Sequence, residues 1–392
     1  MTERVRRDCP SCGGSSLAEI LHWPSLPVNA ALFPETRKES LSIPRGSLRL
    51  TVCERCGLVF NADHDELLVE YSPRCIETQA CSPRSRAFTD ALAQEWVERH
   101  GLVGGDVVEV GCGPDATFLR AVCELTGGRG IGIDPACTPG TDGTVTLLAE
   151  ALGPQHVDLP GRALVCRHTL EHVPEVREFL GLVGAWSEAN DDAPVLLELP
   201  DSERIFRETA FWDVYYEHCS YFTTESLGTS LELAGLRPEE VTLAFEGQYL
   251  VAEARARGCE QPTEVGASAT VATAKEFGRS ATQWIDRARD ALRRLASHGP
   301  VVLWQAGGKA LAVLTLTGIG DEISAVVDGN PAKRGLFLPG TAREILGPSD
   351  VAAVRPTNVV VMNAVYVNEV ARTVAESGVE ASVISFESLL AN

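Results

Sequence analysis

The sequence lacks an excess of basic residues. Its 34 lysines and arginines are outnumbered by 54 aspartates and glutamates, so the 392-residue chain carries a formal net charge of -20 and has a pI near 4.9. Nucleic acids and anionic membranes are bound through basic surfaces that release counterions or meet lipid headgroups. The composition therefore argues against a nucleic-acid binder or a membrane-surface protein and favours a small-molecule substrate.

Long apolar runs are also missing. Arg4, Arg6 and Arg7 open the chain without an apolar segment behind them, so no signal peptide is predicted. No segment reaches the length of a transmembrane helix. We therefore expect a cytoplasmic protein, in which the 12 cysteines are reduced thiols or metal ligands rather than disulfides.

Four of the cysteines form two C-x-x-C pairs. Cys9 and Cys12 make the first pair, and Cys53 and Cys56 make the second. Each pair can present two thiolates to one tetrahedral zinc ion, and four thiolates leave no open coordination position. The sequence thus predicts a structural zinc site near the N-terminus, with ordinary buried thiols as the alternative.

A nucleotide-binding pattern begins near residue 107. The apolar strand predicted over 107–110 runs into Glu109-Val110-Gly111-Cys112-Gly113, and a helix is predicted directly after it. Gly111 and Gly113 would allow the backbone to approach a ligand at the helix N-terminus, although ordinary strand-to-helix turns also select glycine.

The next predicted strand, over 130–133, ends in Asp134. In nucleotide-binding sheets an acidic residue at the end of the second strand binds ribose hydroxyls. Asp134 is therefore the candidate for hydroxyl binding. Its alternative role is that of a turn residue before a proline.

Two histidines follow the third predicted strand, which spans 163–166. His168 and His172 are four residues apart and flank Glu171, a spacing that would place both rings on one face of a helix and that invites a metal interpretation. No further His or Cys stands at a supporting spacing, so a metal is not predicted here. The loop after a strand's carboxyl end favours ligand contact, with simple packing as the alternative.

The segment from Tyr216 to Phe222 concentrates groups that carry proton-transfer chemistry. His218 is a candidate general base because the pKa of histidine lies near neutrality. Glu217 beside it, together with Tyr216 and Tyr221, can orient the base or a substrate. A buried structural histidine is the alternative.

A second strand, glycine turn and helix follow a long helix predicted over 273–298. The strand over 301–304 leads into Gly307-Gly308-Lys309, and the strand over 323–327 ends at Asp328. Lys309 is placed to meet a phosphate. The alternative is a degenerate nucleotide-type fold that serves packing alone.

Taken in order, these features resemble the S-adenosylmethionine-dependent sugar C-methyltransferases over nearly the whole chain. The resemblance rests on the paired C-x-x-C knuckles, the E-x-G-x-G turn, the E-H-x-x-Y-F run, the G-G-K turn and the V-D-x-N-P-x-K-x-G segment. It implies an α/β fold in three parts. These are a small zinc-binding domain (1–75), a Rossmann-like class I methyltransferase domain (76–257), and a second Rossmann-like α/β domain preceded by a linking helix (258–392).

The resemblance also implies an activity, namely methylation of a nucleotide-linked ketosugar at carbon 3 through an enolate, in deoxysugar and antibiotic biosynthesis. Two other functions stay open: methylation of carbon, nitrogen or oxygen on a different natural-product intermediate, and binding of S-adenosylmethionine without catalysis. By the same resemblance, the catalytic residues are His218, Glu217, Tyr216, Tyr221 and His172, the donor contacts are Glu109, Gly111, Gly113, Asp134 and His168, and the zinc ligands are Cys9, Cys12, Cys53 and Cys56.

Three departures from the family pattern concern the ligand sites. Asp115 replaces the third glycine of the donor loop, and His168 stands where the family usually has asparagine. The segment from Glu70 to Pro83 also matches poorly, although Tyr71 can occupy the position of a substrate-contacting tyrosine. The acceptor is therefore less firmly implied than the methyl donor.

Overall fold

The strands of the protein form three sheets. The computed structural model describes residues 5–72, 74–76, 82–257 and 267–391. Within these residues the sheets have four, eight and six strands. The α/β class and the Rossmann-like arrangement expected from the sequence are confirmed. The three domain ranges remain a proposal, and the predicted boundary at residue 258 lies outside the described residues.

The first part of the chain is an antiparallel hairpin with irregular loops. It contains β1 (Leu17–Pro27), α1 (Arg37–Ser42), β2 (Arg45–Cys53) and β3 (Val59–Asn61). Leu17 pairs with Cys53 and Pro27 with Arg45, so β1 and β2 pair along their full lengths, with two irregularities in register. The loop between the two C-x-x-C pairs is therefore largely this hairpin.

The central part forms the eight-stranded sheet, in the order β11-β12-β9-β8-β4-β5-β7-β6. Five of these strands, from β9 to β7, run parallel. The elements of this part are α2 (Pro83–Arg99), β4 (Val107–Val110), α3 (Thr117–Thr126), β5 (Gly130–Ile133), β6 (Gly140–Asp142), β7 (Val145–Leu148), β8 (Ala163–Arg167), α4 (Val176–Ala189), β9 (Val195–Pro200), α5 (Ser202–Arg207), β10 (Ser220–Tyr221), α6 (Thr224–Leu233), β11 (Leu236–Ala244) and β12 (Tyr249–Ala256). The predicted strands over 107–110 and 130–133 have the expected bounds.

The short strand β10 leaves the central part and completes the N-terminal sheet. Ser220 pairs with Phe60 and Tyr221 with Val59, both in β3. This pairing ties the segment that carries His218 to the hairpin of the N-terminal part.

The C-terminal part repeats the α/β pattern around a six-stranded sheet in the order β15-β16-β14-β13-β17-β18. Only the β15–β16 pair is antiparallel. Its elements are α7 (Ser268–Ser297), β13 (Val301–Trp304), α8 (Gly308–Thr317), β14 (Ala325–Val327), β15 (Phe337–Leu338), β16 (Arg343–Leu346), α9 (Val351–Val354), β17 (Asn358–Val361), α10 (Val367–Glu376), β18 (Ser382–Ser385) and α11 (Phe386–Ala391).

One apolar core runs through all three parts. The helix α7 buries Ala274, Phe277, Ala281 and Ile285 along one face, at the three- and four-residue spacing of an amphipathic helix. These side chains share a cluster with residues of β2, α5 and β13. Among the described helices, none is long and apolar enough to cross a lipid bilayer.

Candidate active site

A cleft of about 1110 Å³ lies between the central and C-terminal parts. It follows the carboxyl ends of parallel strands in both sheets, where open α/β sheets bind ligands. Gly111 and Asp134 line it from the central sheet, and Lys309 and Asp328 from the C-terminal sheet. Its volume exceeds the range of about 300–1,000 Å³ common for single small-molecule sites, which leaves room for two ligands.

The glycine turn at one end of the cleft requires glycine. Gly111 has φ of 73°, a left-handed conformation, and a Cβ atom built there would lie 1.8 Å from Oγ1 of Thr169. Asp134 braces the turn, because its Oδ2 accepts from the backbone N–H of Gly113 at 2.8 Å and its Oδ1 accepts from that of Ala136 at 2.6 Å. The loop is thus rigid and free of side chains at its first glycine.

Glu109 lies at the base of this turn. It is buried, and its Oε2 accepts from the backbone N–H of Leu119 at 2.9 Å, which satisfies one open donor in the first turn of α3. A bare glycine backbone, a helix N-terminus and a strand-end carboxylate fit the nucleoside and amino-acid parts of S-adenosylmethionine. This end of the cleft is accordingly the candidate donor site.

His168 joins a buried ion cluster at the end of β8. Its Nε2 lies 3.0 Å from Oε1 of Glu198, and its Nδ1 lies 3.7 Å from Oε1 of Glu171. Arg167 donates from Nε to Oε2 of Glu198 at 2.6 Å. Burial opposes a charge on the ring, but Glu198 and Glu171 outweigh burial and raise the pKa of His168 to about 9. His168 is an imidazolium ion at neutral pH.

His168 and His172 do not share the face of one helix, although their four-residue spacing suggested that they would. His168 has a left-handed φ of 48°, and the 3₁₀ turn begins only at Leu170 and ends at His172. His172 instead faces the segment around His218. Its Nδ1 lies 3.1 Å from the carbonyl oxygen of Glu217 and 3.1 Å from Oη of Tyr71.

His218 lies in the cleft wall among aromatic rings. The centroid of its ring is 4.3 Å from that of Tyr215 and 4.8 Å from that of His172, with the two imidazoles nearly perpendicular. Burial, together with the positive potential of His172, lowers the pKa of His218 well below its ordinary value. At neutral pH the ring is therefore unprotonated and can accept a proton.

Glu217 faces the N-terminal part. Its Oε1 accepts from Nδ2 of Asn29 at 3.2 Å and from the backbone N–H of Ala31 at 3.4 Å. Burial raises the pKa of the carboxyl group. These contacts hold the turn that precedes His218, and the role of Glu217 in orienting the histidine stays a prediction.

Two tyrosines predicted at the site lie behind it. The ring of Tyr216 packs against Gly46, and its hydroxyl accepts from the backbone N–H of Asp65 at 2.8 Å. Tyr221 donates from its hydroxyl to the carbonyl oxygen of Tyr215 at 3.1 Å. Neither ring lines the cleft. Both side chains are buried in the core, and their role towards a substrate stays a prediction.

Sequence reasoning missed Tyr215, the neighbour of one predicted tyrosine. Its ring lines the cleft and lies against Gly308 of the C-terminal part. Sequence reasoning also missed Asp213, which pairs with Lys309 at 2.8 Å and with Arg204 at 2.6 Å. Three tyrosines near one histidine were visible in the sequence, but no signal told which of them faces the ligand.

The four cysteines of the C-x-x-C pairs lie together. All are buried, and their Sγ atoms fall within 4.8 Å of one another, with 3.5 Å separating Cys9 from Cys56 and Cys12 from Cys53. Tetrahedral zinc with sulfur at about 2.3 Å separates its ligands by about 3.8 Å. The donor set and its spacing therefore fit a zinc ion.

Comparison with known families gives two matches. A methyltransferase-domain model matches residues 84–241, and a model of the C-methyltransferase C-terminal domain matches residues 253–382. The C-methyltransferase NovU of Streptomyces niveus is 26% identical, over 88% of this chain and 86% of that protein. These matches support a family of S-adenosylmethionine-dependent C-methyltransferases, and the chain is an S-adenosylmethionine-dependent methyltransferase.

Solved methyltransferase structures resemble the chain over less than half its length. A 1,6-didemethyltoxoflavin N1-methyltransferase from Burkholderia thailandensis is 17% identical, with a TM-score of 0.32 over 43% of this chain and 78% of that one. Magnesium protoporphyrin IX methyltransferase from Synechocystis PCC 6803 is 14% identical, with a TM-score of 0.31 over 44% and 80%. Scores this low support no statement about substrate.

Proposed function

We propose that the enzyme methylates a carbon atom next to the ketone of a nucleotide-linked ketosugar, at carbon 3, with His218 as the general base. The observation that carries the proposal is the environment of His218. Its unprotonated ring lies in a cleft shared by both α/β parts, with Tyr215 and His172 beside it. A carbon acid requires such a base.

The glycine turn is the proposed donor site. Gly111, Gly113, Asp134 and Glu109 would hold S-adenosylmethionine, which supplies an electrophilic methyl group when bound. Each carboxylate oxygen of Asp134 accepts a hydrogen bond from one backbone N–H. The remaining lone pairs can accept hydrogen bonds from ribose hydroxyls. His168 lies farther along the cleft floor, where its positive charge is already shared with Glu198 and Glu171.

The proton transfer begins at the sugar carbon. His218 accepts the proton as the carbon–hydrogen bond breaks, and the electron pair delocalises onto the ketone oxygen as an enolate. Tyr215 and His172 are the proposed stabilisers of this oxygen, because both line the cleft and carry groups that can donate a hydrogen bond. The imidazolium ion finally releases its proton to solvent.

The metal in this proposal is structural. Cys9, Cys12, Cys53 and Cys56 would hold zinc with all four thiolates, so the ion has no open position for substrate. Its contribution is to fix the N-terminal part against the central part, away from the proton transfer.

Deuterium wash-out tests the base separately from methyl transfer. A thymidine-diphosphate 4-ketosugar deuterated next to the ketone is incubated with enzyme and S-adenosylhomocysteine, and exchange is followed by NMR. His218→Ala should slow exchange by about 10²–10⁴-fold, which is the usual contribution of a general base. S-adenosylhomocysteine should still bind, as calorimetry would show.

His298→Ala is the matched control, because His298 is exposed at the end of α7. It should exchange at the wild-type rate. If His218→Ala exchanged deuterium at the wild-type rate, His218 would not be the base. If the wild-type enzyme showed no exchange, the ketosugar nucleotide would not be the substrate.

A different natural-product acceptor is the second candidate. The observation in its favour is the imidazolium of His168 at the cleft floor, where the family pattern has a neutral asparagine. Glu198 and Glu171 pair with this charge, but the larger side chain changes the shape and polarity of the cleft wall, which suits an acceptor other than the family's sugar. Methylation of such an acceptor without any turnover of ketosugar nucleotides would favour this alternative.

A further inference from the structure

Glu171 is a buried carboxylate that the proposed mechanism leaves unused. It belongs to the 3₁₀ turn between His168 and His172 and is only 3% exposed. Among the described residues, its Oε2 atom has no hydrogen-bond partner. A buried carboxylate oxygen without a partner is costly, so this orientation calls for a cause.

The carboxylate faces the two histidines of the cleft. Ligand atoms of Glu171, His172 and His218 lie within 4.8 Å of one another. His172 is oriented by the carbonyl oxygen of Glu217, whose own carboxylate is taken up by Asn29 and Ala31. The negative potential of Asp213 also reaches His218, but the Asp213 carboxylate is paired with Lys309 and Arg204. Glu171, in contrast, keeps an oxygen without a partner among the described residues.

Several other charged or titratable groups face Glu171. Nδ1 of His168 lies 3.7 Å from Oε1 of Glu171, and His168 and Arg167 both pair with Glu198. Burial raises the pKa values of four neighbouring thiols and phenols, and the negative potential of Glu171 adds to each rise; these groups are Cys166, Cys219, Tyr71 and Tyr215.

We propose that Glu171 is the positioning residue that stabilises the imidazolium ion formed when His218 takes the proton from the substrate carbon. The inference rests on the proposed function. The proton moves from carbon to a ring nitrogen of His218, its electron pair stays on the enolate, and Glu171 remains ionised throughout. A carboxylate behind a histidine base plays this part in serine proteases.

His168 prepares this carboxylate. In the resting enzyme its positive charge lies between Glu171 and Glu198 and helps to lower the pKa of Glu198. When the proton arrives on His218, Glu171 lies between two cations and attracts both. Where the family pattern has asparagine this chain has His168, and the acidic Glu171 that pairs with it lies three residues later.

The test uses Glu171→Gln, which keeps shape and removes charge. Glu188→Gln is the control, because Glu188 is exposed on α4 and does not line the cleft. Deuterium wash-out should fall about 10²-fold in Glu171→Gln and stay unchanged in the control, as expected for loss of one charge partner at this distance. Glu171→Asp should recover part of the rate.

A second readout needs no substrate. The imidazole resonances of the eight histidines are titrated by NMR in the free enzyme, and the pKa of His218 should fall by at least about one unit in Glu171→Gln. A pKa no lower than in the wild type overturns the inference, whatever the acceptor is. Wash-out at the wild-type rate in Glu171→Gln, while His218→Ala is inactive, overturns it too and leaves the base in place.

A structural role would look different. If Glu171→Gln lost binding of S-adenosylhomocysteine and melted earlier in proportion to its loss of rate, with no change at His218, the residue would serve folding and the inference would be wrong.

Discussion

His218 shows how burial both helps and limits a base. A low pKa keeps the ring unprotonated at neutral pH, so every molecule is ready to accept a proton. The same low pKa weakens the driving force for accepting it, because efficient general bases have a pKa near the working pH. In the proposed mechanism the site must therefore stabilise the products of proton transfer, which are the enolate and the imidazolium ion. This need gives Tyr215, His172 and Glu171 their proposed roles.

We expect substitutions of the adjacent residues Tyr215 and Tyr216 to affect different properties, catalysis for the first and stability for the second. Tyr216→Phe removes a hydroxyl that accepts from the backbone of Asp65, so it should lower the free energy of unfolding by about 1 kcal/mol and leave kcat unchanged. Tyr215→Phe removes a hydroxyl in the cleft and should lower kcat about 10-fold or more with little change in stability. Urea unfolding and steady-state kinetics check both. The opposite pattern would return Tyr216 to the site.

The imidazolium of His168 makes stability depend on pH. Its folded-state pKa of about 9 lies above the unfolded value near 6.5, so its contribution is complete below about pH 6.5 and is lost as the pH rises through 9. The pKa of Glu198 is lowered to about 2, so its share is lost only as the pH falls from about 4.5 towards 2.

His168→Asn tests this dependence. Each unit by which the pKa is displaced corresponds to about 1.4 kcal/mol. Wild type should therefore exceed the variant in unfolding free energy at pH 6, and the difference should shrink towards pH 9.5. Urea unfolding at several pH values measures it. A difference that is independent of pH would mean that packing, and not charge, is what the histidine supplies.

At the scale of elements, the N-terminal part contacts the chain next to both His172 and His218. The first contact is the pairing of β3 with β10, which follows His218. The second is between the segment around the first C-x-x-C pair and the residues that follow His172. Arg6 pairs with Glu175 at 2.8 Å, and the carbonyl oxygen of Pro10 accepts from the backbone N–H of Arg177 at 3.0 Å. These contacts connect the knuckle to segments that line the cleft.

Loss of the proposed zinc should loosen these segments. Cys12→Ser should lower zinc content, and amide hydrogen exchange in β10 should quicken by about 10-fold or more, because the strand beside it loses its anchor. Cys137→Ser is the control, since Cys137 is buried but lies outside the cysteine cluster. Unchanged exchange in β10 with zinc absent would show that the knuckle is independent of the site.

Elements built from local pattern were predictable, and those built from distant pairing were not. The strand Val107–Val110 and the glycine turn after it follow from an apolar run and two adjacent glycines. The pairing of β10 with β3 joins residues far apart in sequence, and two residues carry no periodicity to reveal it. The site split in the same way. His218 and Glu217 could be proposed from residue type alone, whereas the orientation of Tyr215 depends on tertiary contacts.

At the scale of the whole molecule, the three parts share one core through α7. This helix packs on α5, α8 and the N-terminal hairpin, so the C-terminal part is connected to the N-terminal sheet without passing through the central one. The cleft lies between two sheets that α7 holds in a fixed relation. A substitution that disrupts the packing of α7 against these elements should therefore lower the stability of the whole molecule.

Gly278 is where α7 comes closest to that hairpin. Alanine in place of glycine inside a helix normally stabilises by about 0.5–1 kcal/mol. A Cβ atom at Gly278 would instead lie 2.2 Å from the carbonyl oxygen of Ile20, a backbone atom that cannot move aside alone. Gly278→Ala should therefore destabilise the whole molecule by about 1–3 kcal/mol, whereas Gly228→Ala in α6, with nothing within 4 Å, should stabilise it. Thermal unfolding of both variants decides the matter, because equal shifts of the same sign would mean that α7 is not seated on β1.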